Sequence, residues 1–421
     1  MGRGGRYRSV LAVPAFRALW VAQMLAALGE ALSSIALPLL AYAITGSAQL
    51  ASQVFVARLL PLILLAPVSG ILADRVDRRR LMVAADLIRA ALVAMIPFAR
   101  EGWQLGVLAA LVAVNDAVAR PAALASLPMV VPPAQLVQAL SASQVGNSAI
   151  RVVGPAIGAA IIGVAGAGPA FGLQAVCFLL AAAALVPLRL PAVASGNDRL
   201  PAVRAAMWEG MRTVRRNPVV RGTAAVEALW QTVTAALAVA LVVYVERSLA
   251  TGAAGGQIYA LLMAVFGFGA AVGALVAGPV EARIGRPRLM AIGYLAPLLL
   301  VPAVAVPPVP LLFACFFALG FTDAWAVIAM QAYLAEAVPD ALRGRVYAGW
   351  TAAVTAGAAL AFLAVGWFTA HWGAPRTLAA AGLLVGLGGP LLLWLSGALA
   401  AMRLHRPVAA GDPVQSVEVA T

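Results

Sequence analysis

Few side chains in this sequence offer chemistry, and those few interrupt long runs of Ala, Leu, Val and Gly. Glu30, Asp116 and Asp323 are carboxylates that can take up and release a proton, and Arg58 and Arg151 are cations in similar surroundings. Asp86 and Arg89 stand three residues apart, which puts them on one helix face and lets them pair. Absences narrow the chemistry further. All 29 basic residues are arginine, so a lysine-dependent phosphate loop and a Schiff-base amine are both excluded. Cys177 and Cys315 lie inside apolar runs, and His371 and His405 have no partner motif. No metal site, disulfide or cofactor is therefore expected. No nucleophile–base pair argues for an enzyme.

The elements that must hold these charges are apolar. The chain of 421 residues is 63% apolar and 11% charged, against about 25% charged in soluble domains. A bilayer core of about 30 Å needs roughly 20 apolar residues in a helix. Twelve segments meet that length, at about 18–43, 51–73, 81–99, 105–127, 138–165, 170–188, 219–247, 256–280, 288–305, 309–336, 344–372 and 377–402. Backbone groups in lipid must be satisfied within the segment, and no alternating strand pattern of a barrel is present. The reading is an all-α integral membrane protein of twelve helices. Counted along the helices at about 1.5 Å per residue, Glu30, Asp116, Arg151 and Asp323 fall near the midplane. Arg58 falls about 10 Å from the outer face, with Asp86 and Arg89 near the inner face. A charge at mid-bilayer is costly unless paired or hydrated, so these residues are functional candidates.

Arginine placement sets the orientation. With the N-terminus inside, 22 arginines lie on the inner side and three, Arg100, Arg247 and Arg376, on the outer side. Both termini are thus expected in the cytoplasm. This retention also accounts for the basic net charge of +13 without a nucleic-acid partner. The basic start precedes an apolar run too long for a signal-peptide core, so it reads as a retained first span. The stretch 189–218 is the only long polar connection between spans. Its residues Val203, Met207, Met211 and Val214 have helical spacing, as in a basic amphipathic helix on the inner surface. The expected organisation is a six-helix half at 1–188, this linker at 189–218, a second six-helix half at 219–402 and a tail at 403–421.

The two halves repeat. "GILADRVDRRR" at 70–80 aligns with "GPVEARIGRPR" at 278–288, an offset of 208, and "VPPAQL" at 131–136 aligns with "VPDALR" at 338–343 at offset 207. Asp116 then falls on Asp323. Two halves repeated in the same orientation point to a duplicated transporter fold.

The loop after span two, with Gly70, Leu72, Asp74, Arg75, Arg78, Arg79 and Arg80, resembles the signature of the major facilitator superfamily. The resemblance covers about residues 17–402. It is strongest to the bacterial drug-exporter branch that includes macrolide and enterobactin exporters, through "ALGEALSSIALPLLAYAITGS", "RRRLMVAADLIRA", "RVVGPAIGA", "WEGMRTVRRNP" and "VPDALRGRV". The antiporter motif of span five is matched at Gly154, Pro155 and Gly158, with Ala159 in place of its last glycine. Arg120 is followed by "PAALA" and does not continue the span-four pattern of other drug exporters. Ala282 stands where Asp74 stands in the first repeat, which makes the two cytoplasmic gates unequal.

The resemblance implies a secondary transporter of two six-helix bundles in a bacterial inner membrane, acting as a monomer by alternating access. The expected function is export of an amphipathic small molecule in exchange for protons. A siderophore exporter and a proton-coupled nutrient importer are the alternatives. Glu30 is the first choice for the proton carrier, or else a structural partner for Arg58 or Arg151. Asp116 follows, then Asp323 from the other half, with Arg151 as counter-ion. Glu227, in the inner part of span seven, is a further acid. A cytoplasmic gate is assigned to Gly70, Asp74, Arg75, Arg78, Arg79, Asp86, Arg89, Arg120, Arg343 and Arg345. The resemblance implies that Asp74 reaches the start of span eleven. Gly154, Pro155 and Gly158 are expected to pack and to bend span five.

Overall fold

Apolar runs in lipid leave the backbone one economical way to satisfy its hydrogen bonds, and the described residues are helical nearly throughout. A computed structural model describes residues 10–75, 77–132, 135–188, 190, 212, 215–305, 309–338 and 343–397. At 66–75, 124–125, 137, 148, 151–152, 155–156, 159, 253, 335 and 343–345 it describes the backbone alone. The first six helices are α1 (Pro14–Thr45), α2 (Ala48–Arg75), α3 (Arg78–Phe98), α4 (Gly102–Val130), α5 (Leu136–Ala165) and α6 (Ala167–Leu185). The last six are α7 (Pro218–Ser248), α8 (Gly252–Ile284), α9 (Arg286–Ala305), α10 (Val309–Ala337), α11 (Arg343–Trp372) and α12 (Ala374–Leu395). Eleven described stretches are long and apolar enough to cross a membrane; the 30-residue α5 is not among them.

The packing repeats as the sequence does. In the first half α1 packs on α5 and α6, α2 on α4, and α3 on α4 and α6. In the second half α7 packs on α11 and α12, α8 on α10, and α9 on α10 and α12. The halves meet through α2 with α11 and α5 with α8. Polar and aromatic contacts join them close to the face that carries Gly46, Gly166 and Gly373, called the far face below. Phe55 stacks on Phe362 at 4.7 Å, Arg247 Nε donates to Tyr42 Oη at 3.2 Å, and Gln257 Nε2 donates to the Gly163 carbonyl at 2.7 Å.

Glycines set how closely helices approach, since a missing Cβ lets backbones touch. A Cβ on Gly273 would lie 2.0 Å from the Phe321 carbonyl oxygen, and one on Gly320 would lie 1.9 Å from that of Phe266. The same holds for the span-five motif. A Cβ on Gly154 would lie 2.4 Å from Ala31 Cβ, and one on Gly158 3.4 Å from the Leu32 backbone. The helix α5 runs unbroken from Leu136 to Ala165 through this motif. Close packing is what these glycines provide. Regular geometry breaks elsewhere, in a π turn at Ala236–Ala240 of α7 and in 3-10 turns at Ile96–Phe98 and Ala296–Leu299. The expected amphipathic linker helix and the tail lie outside the described residues, as do the side chains of Gly70, Asp74, Arg75, Arg151, Pro155, Arg343 and Arg345.

Candidate functional site

Arg89 is the centre of the site. It is 8% exposed, near the middle of α3. Its Nη1 donates to Asp116 Oδ1 of α4 at 2.8 Å and lies 3.7 Å from Glu30 Oε1 of α1. Its Nη2 bonds Asp86 Oδ1, one turn earlier on its own helix. The guanidinium also sits 4.6 Å over the ring of Phe178 on α6. One cation thus gathers carboxylates from three helices and an aromatic face from a fourth. A buried charge is tolerated only when paired and hydrogen-bonded, and this network meets that condition for two of the three guanidinium nitrogens. Arg89 Nε has no partner among the described residues.

Small residues seat α1, which carries Glu30, against its neighbours. A Cβ on Gly29 would lie 3.1 Å from Gln174 Cγ and 3.2 Å from Cys177 Cβ, so the missing side chain lets α1 press on α6 next to Glu30. Gly154 seats α5 against Ala31 on the other side of the same turn. Glu30 is therefore fixed by two close helix contacts. Arg120 and Arg58, in the walls of the adjoining cavities, also act electrostatically on Glu30.

Two cavities adjoin it. The larger, about 200 Å³, is lined by Glu30, Asp86, Arg89, Asp116, Arg120 and Asn147 among others. The smaller, about 20 Å³, is lined by Glu30, Ser33, Arg58, Asp116 and Gln174 among others.

The structure regroups the residues singled out in the sequence. Glu30 and Asp116 do come together with Arg89 between them; Arg58 acts on Glu30 from the smaller cavity, and the side chain of Arg151 lies outside the described residues. Asp86, Arg89 and Arg120, grouped with the gate, line the same cavity as Glu30 and Asp116. Depth counted along each span separately did not show that Arg89, near the middle of α3, reaches Glu30 and Asp116 on neighbouring helices. Asp323 lines neither cavity. It belongs to the second half, where it and Glu227 act electrostatically on the buried Tyr294. Glu227 accepts a bond from Gln231 Nε2 at 3.3 Å. The loop arginines contact their own half: Arg78 Nη1 lies 3.1 Å from Met129 Sδ, and Arg79 Nη2 bonds the Val186 carbonyl. Asp77 caps α3 by accepting from the Arg80 backbone N–H at 2.8 Å. Sequence reasoning missed Gln174 and Phe178. Gln174 left a signal, as the one amide side chain in the apolar run of α6; a phenylalanine in such a run leaves none.

A helical bundle built from two like halves, with a cluster of charges buried beside a cavity, is the architecture of a multi-pass membrane transporter. The chain belongs to the transmembrane secretion effectors of the major facilitator superfamily, whose family model matches residues 8–406. It is similar to the multidrug efflux pump Tap of Mycobacterium tuberculosis, 28% identical over 387 residues, covering 88% of this chain and 90% of that protein. It is also similar to the enterobactin exporter EntS of Citrobacter koseri, 26% identical over 426 residues, covering 95% and 96%. Among solved structures, the nucleoside transporter NupG superposes with a TM-score of 0.70 over 93% of this chain and 100% of that one. At 12% identity that likeness shows the fold alone. The protein is a transporter of small molecules within the bilayer and not an enzyme.

Proposed function

We propose that this transporter exports an amphipathic small molecule, such as an antibiotic or another secondary metabolite, in exchange for protons. It works as a monomer in a bacterial cytoplasmic membrane with both termini in the cytoplasm. The observation that carries the reading is the cluster of three carboxylates, from three helices, that meet at Arg89. Arg89 contacts all three acids at once, so a proton on one of them redistributes its contacts among the others, and the cluster is suited to hold a proton in one state and release it in another. When Glu30 or Asp116 is protonated, Arg89 is free to close on the carboxylates that remain charged. That shift changes the contacts among α1, α3 and α4. The similarity to Tap supports export, and the apolar character of the spans supports an amphipathic cargo.

In this reading the far face is periplasmic, and Phe55–Phe362 and Tyr42–Arg247 hold it shut while the cargo enters from the cytoplasm. Release then requires these contacts to part as the halves rock. The gate on the other side is assigned to Asp74 and the start of α11.

The test uses the full chain in proteoliposomes, with ethidium as reporter cargo and an imposed pH gradient. Glu30→Gln and Asp116→Asn each cut gradient-driven transport at least tenfold, and the double variant abolishes it. Full activity in both single variants and in the double overturns the assignment. A second reading, export of an anionic siderophore by the same exchange, is favoured by the similarity to EntS along 95% of the chain. Transport of enterobactin but not of ethidium or macrolides would select it.

A further inference from the structure

The two cavities of the first half are stacked along its helices, with Glu30 and Asp116 in the wall of both. The order is the same on the four helices that line both. On α1, running toward the far face, the larger cavity touches Leu19, Ala22 and Gln23, and the smaller touches Ser33 and Leu37. Glu30 lies between them. On α3, also running toward the far face, Met82, Asp86 and Arg89 line the larger cavity, and Val93 and Ile96 the smaller. On α4, running back, Ala109 and Val112 line the smaller, and Ala119 and Ala123 the larger, with Asp116 between. On α6 the smaller cavity has Phe171 and Gln174, and the larger has Leu185. The carboxylates are thus a partition inside one half, with a cavity on each side.

A second observation concerns the smaller cavity. Gln174 is 3% exposed, and its Oε1 accepts no hydrogen bond among the described residues. A buried acceptor left without a donor costs about 1–3 kcal/mol. A cavity of about 20 Å³ exceeds the roughly 10–15 Å³ that one water requires. Ser33, Arg58, Glu30 and Asp116 supply further polar partners around it.

We infer that the smaller cavity holds a resident water, bonded to Gln174 Oε1, that relays protons from the far face to Glu30 and Asp116. The proton path then runs through the core of the first half, separate from the cleft between the halves that the cargo uses. The inference rests on the proton exchange proposed above. In the step itself, a protonated water gives its proton to a Glu30 carboxylate oxygen. An O–H bond forms on Glu30, one breaks on the water, and neutral water remains against Gln174. Later the proton passes from Glu30 to water in the larger cavity, and the carboxylate returns to its place beside Arg89. The charged groups that face Glu30 here are Arg58 on α2, Asp86 and Arg89 on α3, and Asp116 and Arg120 on α4.

Two measurements test the relay. A density map of the full-length wild-type protein, at a resolution that shows waters, should contain one within hydrogen-bonding distance of Gln174 Oε1. A dry cavity, or one filled by a side chain, overturns the proposal. In proteoliposomes, Gln174→Leu and the cavity-filling Val112→Phe should lower pH-gradient-driven ethidium transport about tenfold. Ethidium counterflow at equal pH, which needs no net proton movement, should persist in both, and Gln174→Glu should recover gradient-driven transport. Unchanged gradient-driven transport overturns the relay, and loss of counterflow together with it overturns a separate route. A wild-type protein indifferent to the gradient refutes the exchange itself, and the density map then decides whether the cavity is wet.

Discussion

Each half of the molecule gathers carboxylates around an arginine, but at different depths. In the first half the arginine is Arg89, mid-helix, with Glu30, Asp86 and Asp116. In the second it is Arg286, at the start of α9 on the face opposite the far face. Its Nε donates to Glu281 Oε1 at 2.7 Å and its Nη1 to Glu336 Oε1 at 2.6 Å, with the Tyr333 ring 5.3 Å away. The repeat shows how the exchange was made. At offset 208, Asp86 corresponds to Tyr294 and Arg89 to Pro297, inside the 3-10 turn of α9. At the same offset Arg78 corresponds to Arg286, and at offset 207 Met129 corresponds to Glu336. One helix-to-helix slot therefore holds an arginine–sulfur contact in the first half and an ion pair in the second. The same scaffold carries its ionic cluster in the core on one side and at the rim on the other. Rim pairs are screened and add little stability, whereas core pairs carry a desolvation cost that can exceed their attraction. Stability alone thus explains the cluster of the second half better than that of the first. The first half keeps its buried charges for what they do.

The largest expected effect comes from breaking the core cluster. Arg89→Met keeps the length of the stem and leaves three buried carboxylates without their cation. Removing one partner of a buried pair costs about 3–5 kcal/mol. The purified variant should show a clearly lowered unfolding temperature and no gradient-driven transport. Adding Glu30→Gln and Asp116→Asn to Arg89→Met should restore part of the stability but none of the transport. If Arg89→Met is as stable and as active as the wild type, the core cluster is not special and the contrast between halves fails.

Much of this contrast could be read in the sequence, and the unread part has a physical cause. Segment length and composition carried the helices, because lipid enforces helix wherever a run is long and apolar. The repeat carried the paired packing of the halves. The i, i+3 spacing carried the Asp86–Arg89 pair. What could not be read is how α1, α3 and α4 are rotated about their own axes. For α1 it shows in close contacts at Gly29 and Gly154, whose partners Cys177 and Ala31 lie far away in sequence. A glycine announces that something will come near, but not what. For the same reason, depth alone did not bring Arg89 to Glu30.

A middle-sized effect is expected where the halves use the same device. Gly273→Val would drive side-chain atoms into the Phe321 backbone of α10, and Gly154→Val would drive them into Ala31 beside Glu30. Over-packing of this kind costs about 1–3 kcal/mol, so both should lower the unfolding temperature to a similar degree. They should differ in transport. Gly154→Val moves α1 and with it Glu30, so its turnover should fall further than stability accounts for. Gly273→Val should lose activity only in proportion to lost folded protein. Equal turnover per folded molecule in the two variants would blunt the contrast.

The smallest effect is expected at the rim. Glu336 is nearly half exposed, and Arg286→Ala removes one exposed ion pair and one part-buried pair at the rim. Exposed pairs are worth about 0–1 kcal/mol each, so the unfolding temperature should move little and transport should stay within about twofold. This variant is also the sharpest threat to the comparison. Arg286 holds α8, α9 and α10 together at the point where the second repeat lacks the acid of the first, with Ala282 in place of Asp74. If Arg286→Ala leaves the fold intact but stops transport, the rim cluster acts as a moving part in its own right. The second half would then contribute a gate built from residues that the first half does not have. If transport persists, the rim cluster is scaffold, and the chemistry belongs to the half that buried its charges.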